Sequence, residues 1–161
     1  MITAAVLTLS DKGSKGERVD LSGPVIAEML KGIGAEVRYN EILPDEAKLI
    51  KERLIELSGK VDLILTTGGT GLSPRDVTPD ATLEIIDREI PGIAEAMRAE
   101  GMKKTKRSML SRAVAGVRGQ TLIINLPGSP RAVEENLAVV LDAVPHAVDK
   151  IKGDNRECAR Q

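Results

Sequence analysis

Residues 61–82, VDLILTTGGTGLSPRDVTPDAT, restrict the possible folds more than any other stretch of the chain. An apolar run from Val61 to Leu65, broken only by Asp62, continues into Thr66 and Thr67 and reads as a buried strand. Gly68, Gly69 and Gly71, interrupted by Thr70, follow at its carboxyl end. Glycines there let the backbone turn sharply and let a ligand reach main-chain amides with no Cβ in between. Such a nest of N–H groups suits phosphate oxygens. After Arg75 and Asp76, Thr78-Pro79-Asp80 starts a helix, with Thr78 fitting the N-cap, Pro79 the first helical position and Asp80 the positive end of the dipole. The stretch is therefore either a tight connection or a site with one basic and two acidic side chains. It is neither a P-loop nor a dinucleotide fingerprint, since it lacks both the Lys-Ser/Thr ending and the G-x-G-x-x-G spacing.

The same order of strand, polar turn and helix recurs upstream. Ala4 to Leu9 is a largely apolar strand ending in the polar loop Ser10-Asp11-Lys12-Gly13. Ser10 and Asp11 either close a local turn or face a ligand, because ligands of open α/β sheets bind at the carboxyl ends of strands. Asp20-Leu21-Ser22-Gly23-Pro24 opens a helix with Val25, Ile26, Met29, Leu30 and Ile33 on one face, closed by Gly34. Glu36 to Leu43 is a second, more alternating strand. Pro44-Asp45-Glu46 then leads into a helix carrying Leu49, Ile50, Leu54 and Leu57 and ended by Gly59. Asp45 is either an N-cap or a carboxylate reaching the same crevice as Asp76. Strands alternating with helices predict a parallel sheet with right-handed crossovers.

Downstream, Pro79 to Arg88 and a second segment from Pro91 to about Gly101 read as helices. Met102 to Arg107 (MKKTKR) is the one basic cluster, either a solvated face or, through Lys104, part of a phosphate clamp. Ser111-Arg112 precedes an uncharged run, Ala113 to Val117, which pairs with Thr121 to Leu126 through Arg118-Gly119-Gln120 as a hairpin. That hairpin places one antiparallel strand in an otherwise parallel sheet. Pro127-Gly128-Ser129-Pro130 is a second strand-to-helix junction, with Ser129 as N-cap. A last helix bears Val133, Leu137, Val140, Leu141, Val144 and Val148, with a kink expected at Pro145, and His146 reads as structural or exposed. Residues 1–152 thus form one domain, followed by a polar tail, 153–161, expected to fray.

Composition removes several function classes. The chain has 161 residues, a net charge of −1 and 29% charged residues, so it lacks the basic footprint of a general nucleic-acid binder. Tyr39 is its single aromatic residue, so a flat ring could be held only by aliphatic faces and backbone hydrogen bonds, and base-stacking modules are disfavoured. One cysteine, Cys158, excludes an intramolecular disulfide, and one cysteine with one histidine excludes a zinc cluster. A cytoplasmic protein is expected, with no signal peptide and no apolar run near the ~20 residues of a membrane helix.

TTGGTG followed by RDVTPDAT resembles the molybdopterin adenylyltransferase family, the MogA/MoaB-type proteins of molybdenum cofactor synthesis and the matching domain of gephyrin-like two-domain proteins. Leu9 to Asp11, Asp20 to Pro24, Pro44 to Glu46, Leu110 to Arg112 and Asn125 to Gly128 extend the likeness over nearly the whole chain. The resemblance implies a three-layer α/β/α fold and transfer of AMP from ATP to the terminal phosphate of molybdopterin, with Mg²⁺. It implies Asp45 and Asp76 as catalytic and metal-holding residues. For substrate and nucleotide it implies Ser10, Asp11, Gly68, Gly69, Thr70, Gly71, Arg75, Ser111, Arg112, Pro127 and Gly128. It also implies a homotrimer or hexamer and a downstream molybdenum-insertion enzyme as partner. A catalytically silent scaffold member and an unrelated nucleotide-binding α/β enzyme are the alternatives, and retention of both Asp45 and Asp76 argues against the first.

Overall fold

The computed structural model describes residues 1–156, which leaves Cys158 and the end of the expected polar tail outside the described residues. The first half runs β1 (Ile2–Leu9), α1 (Asp11–Ser14), α2 (Ser22–Lys31), β2 (Ala35–Leu43), α3 (Ala47–Leu57) and β3 (Leu63–Thr67). It continues as α4 (Thr78–Ile85), β4 (Arg88–Glu89), α5 (Pro91–Met102), a 3₁₀ turn at Lys106–Leu110, β5 (Ala115–Arg118) and β6 (Thr121–Leu126). The C-terminal part is α6 (Pro130–Val140), a 3₁₀ turn at Leu141–Ala143 and α7 (Val144–Ile151). No helix among the described residues is long and apolar enough to cross a membrane.

The strands form one sheet in the order β2-β1-β3-β6-β5-β4. β1 pairs in parallel with β2 and β3, and β3 in parallel with β6, while β5 is antiparallel to both of its neighbours. One antiparallel strand in an otherwise parallel sheet is what the hairpin predicted. Side chains alternate across the sheet plane. Ala4 and Val6 of β1, with Leu63, Leu65, Leu122 and Ile124, pack under Ile26 and Leu30 of α2, Met97 of α5, Val133 and Leu137 of α6 and Val148 of α7. Ala5, Leu7 and Leu9, with Ile64 and Ile123, pack under Ile50, Leu54 and Leu57 of α3 and Ile85 of α4. Each fully buried aliphatic side chain contributes about 1.5–3 kcal/mol. Helices on both faces give the three-layer α/β/α architecture.

Of the helices that follow β1 and β3, α2 lies on one face of the sheet and α4 on the other. Adjacent strands whose connections diverge in this way open a crevice at their carboxyl ends. Behind it sits a buried polar network centred on Asn125, which is fully buried. Its Nδ2 donates to Thr66 Oγ1 and Thr82 Oγ1, both at 3.0 Å, and its Oδ1 accepts the Val114 amide at 3.3 Å. Asn125→Ala strips partners from all three groups, and one buried group left unsatisfied costs about 1–3 kcal/mol. Urea unfolding is expected to show a loss of at least that size; a change within the ~0.5 kcal/mol of a surface substitution would contradict the network's role.

Four local expectations are corrected. The helix expected over Pro79 to Arg88 ends at Ile85, and Arg88–Glu89 instead forms the edge strand β4, held by Asp87 N–H to Val117 O and Ile90 N–H to Ala115 O. Val77, not Thr78, takes the N-cap position of α4; Thr78 lies inside the first turn, and its hydroxyl donates to Gly68 O at 3.0 Å. Glu46, not Asp45, precedes α3, without a side-chain cap. Instead of one kinked helix, the chain forms a 3₁₀ turn at Leu141–Ala143 and a new helix, α7, with Pro145 in its first turn, where the missing amide breaks no helical hydrogen bond.

Candidate functional site

The crevice, of about 700 Å³, opens over the ends of β1, β3 and β6. Ser10, Asp11, Asp45, Gly68, Gly69, Asp76 and Gly128 line it. β1 ends where Ser10 caps the short α1, its Oγ accepting the Gly13 amide at 2.9 Å, so the expected polar loop is a single helical turn. Asp11 and Asp45 then exchange hydrogen bonds. The Asp11 amide donates to Asp45 Oδ2 at 3.0 Å, and the Asp45 amide donates to Asp11 Oδ1 at 3.0 Å. Arg75 closes over Asp11 with Nε and Nη2 at 3.0 and 2.8 Å. This guanidinium, helped by the Asp45 amide, holds the Asp11 carboxyl below its ordinary value.

Asp45 behaves in the opposite way. Burial pushes its carboxyl above the ordinary value; the Asp11 amide resists, and the charges of Asp11 and Asp76 push it further up. Its Oδ1 is buried and makes no hydrogen bond among the described residues. A Cβ at Gly69 would stand 3.1 Å from that oxygen, so the orphan faces the glycine loop. Asp76 reaches the other side of the loop, where its Oδ2 accepts the Ser73 amide at 3.0 Å and would lie 2.8 Å from a Cβ at Gly71.

The loop is shaped by two positive φ angles, +97° at Gly68 and +67° at Gly69. Its carbonyls are all taken. Gly68 O and Gly69 O accept the Thr78 hydroxyl and amide, Thr70 O accepts the Arg112 amide, and Gly71 O accepts Arg112 Nε. Of its amides, Gly68 N–H donates to Leu126 O, whereas those of Gly69, Thr70 and Gly71 find no acceptor among the described residues. A strand-end loop with its acceptors occupied and its donors open favours an anion.

The remaining expected residues lie around this centre. Thr70, Gly71, Arg75, Ser111, Arg112 and Pro127 are not among the residues lining the crevice. Arg75 borders it through Asp11. Ser111 Oγ accepts the Ala113 amide at 3.3 Å, and Pro127 O accepts the Thr67 hydroxyl at 2.6 Å. The Arg112 guanidinium grips Gly71 O, Asp76 O and the Asp80 carboxylate. Lys104 pairs with Glu135 at 3.5 Å, and His146 is an exposed residue of α7; neither lines the crevice.

Asp20 and Ser22 read in the sequence as helix-start residues within a stretch of the family likeness, with no site role of their own. Asp20 lines the crevice and is fully engaged, accepting the Thr8 hydroxyl and the amides of Ser22 and Gly23. Ser22 Oγ donates to Gly128 O at 2.7 Å, tying α2 to the junction after β6. Lys12, Arg18, Val19, Leu21 and Ile42 complete the walls. The Asp-x-Ser-Gly spacing was the available signal for the first pair; nothing in the sequence marks the aliphatic wall.

Four carboxylates against the cations Lys12 and Arg18 would repel a polyphosphate unless a divalent cation came with it. No group of three or more His, Cys, Asp or Glu suited to a metal occurs among the described residues. Mg²⁺ needs fewer, since it binds through one or two carboxylates plus phosphate oxygens and water. The orphaned Asp45 Oδ1, with Asp76 across the loop, fits that requirement.

A family model described as a probable molybdopterin binding domain matches residues 5–146. A molybdopterin adenylyltransferase of Helicobacter pylori is 43% identical over 157 residues, covering 95% of this chain and 89% of that protein. Gephyrin of Dictyostelium discoideum is 45% identical over 157 residues; the match takes 91% of this chain but only 22% of gephyrin's length. Among solved structures, the molybdopterin biosynthesis enzyme MoaB of Thermus thermophilus is similar with a TM-score of 0.90 at 52% identity, covering 95% of this chain and 98% of that one.

Proposed function

The chain belongs to the family of molybdopterin-binding domains, and on that premise we propose that it is a molybdopterin adenylyltransferase acting in molybdenum cofactor biosynthesis. The terminal phosphate oxygen of molybdopterin attacks the α-phosphorus of ATP. A new P–O–P bond forms, the bond from the α-phosphorus to the bridging oxygen breaks, and pyrophosphate leaves with that electron pair. The observation that carries this reading is the buried, unpartnered Asp45 Oδ1 set against a loop whose acceptors are filled and whose donors are open. The named activity of the Helicobacter pylori relative supports it.

Phosphoryl and nucleotidyl transfers require positioning and charge compensation more than covalent help from the protein. The open amide of Gly69, which lines the crevice, would hold phosphate oxygens, with the open amides of Thr70 and Gly71 beside it at the rim. Asp45 and Asp76 would hold Mg²⁺, which supplies the positive charge that crowded phosphates need. Asp11 keeps Asp45 in place and is itself kept ionised by Arg75. The attacking phosphate is already ionised, so no general base is required, in keeping with a crevice without histidine. Val19, Leu21 and Ile42 offer a ring only aliphatic contact. A cytosolic homotrimer that hands its product to a molybdenum-insertion enzyme completes the proposal, on the family resemblance.

Incubation with ATP, Mg²⁺ and molybdopterin, followed by mass spectrometry, tests this reading. Adenylylated molybdopterin with stoichiometric pyrophosphate is expected. Pterin binding without product would identify a silent member, and ATP turnover indifferent to pterin would identify an unrelated nucleotide enzyme.

A further inference from the structure

Two residues hold all four carbonyls of the glycine loop. Thr78 holds those of Gly68 and Gly69, through its hydroxyl at 3.0 Å and its amide at 3.2 Å. Arg112 holds those of Thr70 and Gly71, through its amide at 2.8 Å and its Nε at 2.9 Å. Both are themselves fixed from behind. Thr78 is fully buried, and its carbonyl accepts the Thr82 hydroxyl at 2.8 Å, which joins it to the Asn125 network. Arg112 is braced by the Asp80 carboxylate, with contacts of 3.1 Å, and also reaches Asp76 O. Every nitrogen of its guanidinium is engaged.

Glycine peptides rotate readily because no Cβ resists the change. Rotating one peptide plane in this loop would replace an open N–H with a carbonyl lone pair, which repels a phosphate oxygen. Anchoring the carbonyls therefore decides whether the loop attracts or rejects anions. We infer that Thr78 and Arg112 are positioning residues that set the polyphosphate affinity of the crevice by locking the four loop carbonyls onto protein donors, without touching the nucleotide. The inference rests on the proposed function only in taking this loop as the phosphate site. It assigns Arg112 a different task from the direct phosphate contact that the family resemblance implied.

Titration calorimetry with inorganic pyrophosphate in the presence of Mg²⁺ at 25 °C separates the possibilities, on the wild type and on Thr78→Val, Thr78→Ser and Asp80→Asn, each with a melting curve. Thr78→Val should weaken binding about tenfold, the scale of one lost hydrogen bond, and Thr78→Ser should restore it. Asp80→Asn loosens the Arg112 brace at an exposed pair without removing the Arg112 charge, so it should also weaken binding. A directly liganding Arg112 would be freed by that change and would bind pyrophosphate as well or better. Should Thr78→Val fail to fold at 25 °C, Asp80→Asn alone decides between these outcomes. Wild-type affinity in both Thr78→Val and Asp80→Asn, or no pyrophosphate binding by the wild type, would overturn the inference. Pyrophosphate binding weakened as expected in a protein that makes no adenylylated product would sustain the inference while refuting the proposed function.

Discussion

Asp45→Asn is expected to slow AMP transfer by about 10²–10³, the usual cost of removing one electrostatic group from a preorganised site, while raising the melting temperature of the ligand-free protein. Asn keeps the size of Asp and keeps an oxygen for the Asp11 amide. It removes a partly buried negative charge that has no partner on Oδ1 and that lies near the charges of Asp11 and Asp76. Burial raises the Asp45 carboxyl above its ordinary value of 3.8, so folding favours the protonated form. The stability this confers is fully present below pH 3.8 and is lost as pH rises through the higher folded value. The advantage of Asn over Asp should therefore be largest near neutral pH and should shrink as pH falls toward 3.8. ATP with Mg²⁺ should raise the melting temperature of the wild type and do less for the variant. A variant less stable than the wild type at pH 7 with unchanged activity would make Asp45 a structural residue.

Gly68→Ala is expected to have the largest effect on the fold around the site. The φ of +97° lies where an L side chain is strained, at a cost of about 1–3 kcal/mol. The added Cβ would also sit 2.5 Å from the Leu9 carbonyl oxygen, which belongs to the backbone of β1 and cannot swing aside. Either β1 and β3 separate at their carboxyl ends or the loop reorganises, and both displace the open amides. Pyrophosphate binding should be lost, and the melting temperature should fall by several degrees for a domain of this size. A variant with wild-type melting and binding would mean that the loop tolerates the extra carbon and that its geometry is not set by this glycine.

The parts of the structure legible in the sequence were those written in local patterns. The β3–glycine loop–α4 unit follows from an apolar run, glycines and a proline at the helix start, and the single antiparallel strand followed from the short turn at Gly119. The edge strand Arg88–Glu89 has two charged, exposed residues and no periodicity, so only tertiary pairing with β5 reveals it. Thr78 has the composition of an N-cap, and its hydroxyl was drawn instead to Gly68 O because the loop folds back on the helix. Asp45 resembles a cap for the same local reason, yet its carboxylate turns to Asp11, 34 residues away. The loop carbonyl anchors depend on Arg112 lying beside Thr70 and Gly71, a proximity created by the return of the chain after α5. Such long-range contacts leave no mark on neighbouring residues.

The most direct test of AMP transfer in this crevice is a single-turnover experiment with ATP labelled at the α-phosphate. Wild-type protein with Mg²⁺ and molybdopterin should place the label on the pterin within one turnover. Asp45→Asn and Asp76→Asn should bind molybdopterin but transfer label about 10²–10³ times more slowly. Label remaining in ATP with the wild type, or transfer at the wild-type rate in both variants, would contradict the account.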